Sequence, residues 1–214
     1  MKALSKFFAG VGRFVLVGFA GLFALLHLVA YFGDMVGSAG GLVINDLVDL
    51  TVTLIMAGLV IFILITNQPK LRPIVMPAVF AYYLISWCMN AGNAYAYFES
   101  DNGAYIAYGV FAMFIGIAAL GIATLFILKA FLKKPFIDLI IFICLLVLVG
   151  ASLVAMICML AGYSVANADA KQFNYVPFEW PSYLHLIASY LCLPVVFAGG
   201  FFWFLGTAGE KAAE

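Results

Sequence analysis

Charge is the commodity this sequence has least of. Charged residues make up 9% of its 214 positions, where a soluble domain carries about 25%, and that scarcity excludes an ordinary water-soluble fold. The few charges also cancel, ten basic against ten acidic, so the chain lacks the basic excess of a nucleic-acid surface. Arginine occurs only at Arg13 and Arg72, and histidine only at His27 and His185. Cysteine is sparse too. Cys88, Cys144, Cys158 and Cys192 all fall in apolar stretches and none forms a C-x-x-C pair, so neither a disulfide framework nor a zinc site is expected. Nor is there a glycine-rich phosphate loop, an H-E-x-x-H motif or a Ser-His-Asp order. Enzymatic chemistry is therefore disfavoured. An intramembrane hydrolase built on Asp46 and Asp49 is the form it would take.

What fills the sequence instead is hydrocarbon. Hydrophobic residues account for 67% of the chain, and mean hydropathy is +1.17. Six apolar spans stand out, at about 14–32, 42–66, 73–98, 104–128, 136–163 and 183–205. Each reaches the roughly 20 residues needed to cross about 30 Å of bilayer. The first is too long for the apolar core of a signal peptide and no A-x-A site follows it, so it counts as a helix. Gly33-Asp34, Asn67-Gln68-Pro69, Asp101-Asn102-Gly103 and Lys133-Lys134-Pro135 punctuate the spans with turn chemistry. The expected class is all-α: a polytopic integral membrane protein, a six-helix transmembrane bundle forming a single domain over residues 1–214. With the N-terminus inside, nine basic residues (Lys2, Lys6, Arg13, Lys70, Arg72, Lys129, Lys133, Lys134 and Lys211) are cytoplasmic and only Lys171 is outside. That bias puts both termini in the cytoplasm. Tyr31, Tyr95, Tyr97, Tyr105, Tyr108, Tyr163, Tyr175 and Tyr183 fall near outer helix ends, as an interfacial belt would. The longest loop, Ser164 to Ser182, is expected outside, with Phe173, Tyr175, Pro177, Phe178, Trp180 and Pro181 along the interface.

Against this background the polar residues carry the functional signal. Asp46 and Asp49 enter the second span one turn apart, with Thr53 a further turn on. In the third span Tyr83, Ser86, Asn90, Asn93 and Tyr97 follow helical spacing, and Ser182, His185, Ser189 and Cys192 do so in the sixth. His27 lies in the first. Lipid cannot satisfy amide, imidazole or carboxylate groups, so these faces are expected to point into the bundle. Counted at about 1.5 Å per residue, they sit in the outer half of the membrane, while the inner halves of the first, second and sixth spans are almost wholly apolar. A conduit needs polar lining along its whole length. One-sided polarity fits an outward-facing pocket for a lipid or small ligand, lined by His27, Asp46, Asp49, Asn90, Asn93, His185 and Ser189. A plainer reading places Asp46, Asn93 and His185 at headgroup level.

Other features are assigned by elimination. Asp138 is expected near Lys134 at the cytoplasmic face. Ala112, Gly116, Ala119 and Ala123 form a small-residue stripe of the kind that brings helices close in lipid. Pro77, Pro194 and Gly199-Gly200 mark candidate kinks. The expectation for function is a non-catalytic integral membrane subunit of a larger complex, with the bilayer and other membrane subunits, or further copies of itself, as partners. One alternative is a small solute or ion transporter using Asp46 and Asp49. Another is a redox subunit binding quinone, or haem b held between His27 and His185. On the leading reading no cofactor and no metal is expected.

Overall fold

The computed structural model describes residues 1–37, 44–132, 134–173 and 179–211, and every described element is helical. In order these are α1 (Lys2–Ala9), α2 (Gly12–Gly37), α3 (Ile44–Thr66), α4 (Arg72–Asn93), a 3-10 turn (Ala94–Glu99), α5 (Gly103–Leu132), α6 (Pro135–Phe173), α7 (Trp180–Ile187), a π-turn (Ala188–Cys192) and α8 (Leu193–Lys211). Six stretches are long and apolar enough to cross a membrane: Gly12–Val36, Leu47–Thr66, Arg72–Glu99, Gly103–Lys129, Pro135–Asp169 and Trp180–Ala208.

Helices extend beyond the apolar spans wherever polar residues can still make helical turns. α6 is the clearest case, running to Phe173, so much of the stretch from Ser164 to Ser182 is helix and not loop. Tyr175, Pro177 and Phe178 of that stretch lie outside the described residues. α1 is an additional short helix ahead of the first span. The turn at Asn67-Gln68-Pro69 forms as its residue types require. Asn67 adopts φ 49°, the left-handed conformation asparagine tolerates at a helix end, and its carbonyl accepts from the Arg72 guanidinium at 3.3 Å.

The chain divides into two compact units, Met1–Phe80 with Cys192–Glu214, and Ala81–Leu191. The first is built around α8, whose Val196, Phe197, Phe201, Phe202 and Trp203 are all buried. α2 buries Leu16, Ala20, Phe23, Ala30 and Tyr31, and α3 buries Thr53, Ala57, Val60 and Leu64. Both sets follow the three- and four-residue spacing of one helix face. Met76 and Phe80 of α4 lie against Gly200 of α8, and the Arg72 guanidinium lies 5.2 Å from the Trp203 ring.

The second unit centres on the hairpin of α5 and α6. Ile137, Ile141, Leu145, Leu148, Ser152, Ala155 and Met159 of α6 are buried, as are Tyr108, Ala112, Ile115, Ala119 and Ile122 of α5. At the turn, Lys129 makes an ion pair with Asp138. Asp138 was expected near Lys134, which lies one turn earlier in the chain; its ion-pair partner is Lys129, near the end of the facing helix.

The small-residue stripe is used inside this unit. A methyl group added at Gly116 would collide with the Ala91 side chain of α4, and the Cys88 thiol is directed at the Gly116 carbonyl, 3.6 Å away.

Candidate functional site

In the first unit, His27 falls in the buried stripe of α2, one turn beyond Phe23, and is itself half-buried. Its imidazole meets the Phe23 ring edge-on at 4.5 Å. Asp46 is in the first turns of α3, with its side chain outside the described residues. Asp49 is exposed, although Thr53 one turn later is 6% exposed. The stripe that buries Thr53, Ala57 and Val60 therefore becomes exposed by Asp49.

The second unit holds Asn90, Asn93, His185 and Ser189. The polar stripe of α4 begins inside, with Tyr83 buried, and emerges: Asn90 and Asn93 are both exposed. The expectation that the whole stripe points inward is corrected here. The buried line runs through Tyr83, Leu84 and Trp87 of α4 and Ala94 of the 3-10 turn, and the two asparagines flank it. His185 and Ser189 are half-buried and one turn apart.

Ser189 lies within the π-turn Ala188–Cys192. The cause is Pro194, which lacks the amide that would bond to the Tyr190 carbonyl and whose ring crowds that carbonyl. Widening the preceding turn relieves the conflict. Such single π-turns recur at functional sites, and this one carries Ser189 and Tyr190 side by side.

Around it is a network that sequence reading missed, because its tyrosines look like an interfacial belt. The Tyr108 and Tyr190 hydroxyls share a hydrogen bond of 2.6 Å. Tyr97 packs against Tyr108 at 4.7 Å and against Tyr105 at 5.7 Å, while Tyr163 meets Tyr183 edge-on at 5.3 Å. The Asn167 amide donates to the Tyr183 hydroxyl at 2.8 Å. Tyr105 lies over Gly162, where any side chain would strike its ring. Asn102 fixes the corner: its side-chain oxygen caps α5 by accepting from the Ala104 amide at 3.0 Å, and its amide group donates to the Gly162 carbonyl at 3.4 Å. The available signal was spacing, since Tyr105 and Tyr108, and Tyr183 and Tyr190, each share one helical face.

Chemically this end of the second unit offers phenol and carboxamide groups on a rigid aromatic platform. Phenols combine an apolar body with a polar tip and suit a boundary between oily and wet surroundings. Among the described residues no cluster of His, Cys, Asp and Glu with metal-binding potential occurs. No protein-family model, curated protein or solved structure matches this chain.

Proposed function

We propose that the chain is a multi-pass integral membrane protein with both termini cytoplasmic, acting as a non-catalytic subunit of a larger membrane assembly. The observation that carries this reading is the exposure of Asn90. It belongs to the apolar stretch Arg72–Glu99, at roughly 15 Å from that stretch's end at helical and 3-10 rises. A carboxamide at such depth is not satisfied by lipid, and polar groups within spans face protein or water. Asn90 is uncovered among the described residues, and in this reading a partner helix supplies the contact. Asn93, also exposed, extends that polar surface toward the end of the stretch. His27 and Asp46 in the first unit, and His185 and Ser189 in the second, are each proposed as separate candidates for contact with a lipid or small ligand.

Native mass spectrometry on gently solubilised native membranes tests the proposal. The chain is expected in a homo- or hetero-oligomer that Asn90→Leu and Asn93→Leu weaken, without lowering the thermal stability of the isolated chain. A monodisperse monomer with no partner would overturn the subunit reading and favour transport through Asp46 and Asp49.

A further inference from the structure

α1 is too short and too exposed to be part of the packed core, yet it has a defined seat. Gly10 ends it, and α2 starts afresh at Gly12. The Phe8 ring stacks on Phe202 of α8 at 5.9 Å. A side chain at Gly206 would strike the Ser5 carbonyl and Ala9. Ser5, Phe8 and Ala9 thus form the docking face, and none of the residues of α1 is fully buried.

Two faces are left over. At 3.6 residues per turn, Leu4 and Phe7 adjoin on one side and Lys2 and Lys6 on another. Leu4 is 42% and Phe7 51% exposed, and both lysines are exposed. A short helix with an apolar face, a basic face and a third face clamped to the protein is suited to lie in the plane of a membrane interface.

Charge selects the occupant. Helix order brings the start of α2, the end of α3, the start of α4 and the end of α8 to the same end of the first unit as α1. Among the described residues that end carries Lys2, Lys6, Arg13, Lys70, Arg72 and Lys211 against Glu210, whereas Asp34, Asp46 and Asp49 belong to the opposite end. Arg13 lies over the Phe14 ring at 4.9 Å, which holds a further cation at the start of α2. An apolar strip beside a net-positive rim matches acyl chains and anionic headgroups together.

We propose that α1 is a docking surface for anionic phospholipid, with Leu4 and Phe7 among the acyl chains and Lys2 and Lys6 on the phosphate groups. This rests on the membrane reading above but not on the existence of a partner subunit.

The test is native mass spectrometry of the full chain in neutral detergent, offered equimolar phosphatidylglycerol and phosphatidylcholine. Preferential binding of phosphatidylglycerol is expected. Lys2→Gln with Lys6→Gln should reduce that preference by about fivefold for each lysine, as expected for a basic side chain at an anionic surface. Lys2→Arg with Lys6→Arg should preserve it, and Lys171→Gln should leave it unchanged. Phe7→Ser should weaken retention of both lipids. Equal binding of the two lipids, or a preference that survives loss of both lysines, would overturn the proposal while leaving the membrane reading intact. Failure to retain either lipid would overturn both. Loss of a co-purifying protein in the glutamine variant, without any lipid preference in the parent, would assign the face to a protein partner and also overturn it.

Discussion

At Asn90, Asn93 and Asp49 a polar side chain stands on the outside of the folded chain, while at Tyr108 and Tyr190 two hydroxyls meet. The contrast follows from geometry. Tyr108 and Tyr190 sit on helix faces that meet, whereas Asn90, Asn93 and Asp49 stand beside or beyond the packed face of their own helices. The tyrosine pair yields a prediction at this scale. Tyr108→Phe leaves the Tyr190 hydroxyl without that partner, and Tyr190→Phe does the converse. Interhelical hydrogen bonds in membrane proteins couple by about 0.6 kcal/mol on average. Each single variant should lower stability by about that amount or somewhat more, and the double variant should cost less than the sum of the two. Thermal unfolding of the four proteins in one detergent gives the coupling directly; strict additivity would show that the bond contributes nothing.

Among the elements, α5 makes the sharpest prediction because two of its glycines differ in surroundings. Gly116 faces Ala91 with no room for a methyl group, whereas Gly121 has nothing within 4 Å of where one would sit. Gly116→Leu should destabilise the isolated chain by about 1–3 kcal/mol or more through overpacking. Gly121→Ala should be neutral or stabilising, by up to about 1 kcal/mol, through better helix propensity. Unfolding measurements on both, with native mass spectrometry of the assembly, distinguish an internal seam from a subunit contact. If Gly116→Leu left the chain's own stability unchanged and only dissociated partners, the internal packing of α4 on α5 would be wrong. α7, the π-turn and α8 show the same dependence on local chemistry, since one missing amide at Pro194 changes how Ser189 and Tyr190 are presented.

For the molecule as a whole, the distribution of basic residues is the strongest guide to orientation. Ala168 near the end of α6 and Ala208 near the end of α8 are both exposed, so either position accepts a reporter without repacking. In a background lacking the native cysteines, Ala168→Cys and Ala208→Cys should label with a membrane-impermeant thiol reagent from opposite sides of a sealed membrane, Ala168 from outside. Labelling of both from one side would refute the proposed arrangement of the six spans.

Six long apolar helices were legible in composition and spacing, because span length is a one-dimensional property of a chain. The turn expected at Gly33-Asp34 is not there, since α2 continues through both residues to Gly37. The turn at Asn67 and the cap at Asn102 were legible for a similar reason: their residue types satisfy needs of the adjacent backbone. Which face of each helix turns inward was not. Where a helix is apolar all round, as α5 and α6 nearly are, polarity no longer separates inside from outside, and shape decides. Gly116 against Ala91 and Tyr105 over Gly162 are fits between residues distant in the chain. Packing within each unit leaves Asn90 exposed in the second and Asp49 exposed in the first, although their helical spacing matches that of buried neighbours. α1 escaped notice because eight residues are too few to register as a span, and only its seat on α8 makes it an element.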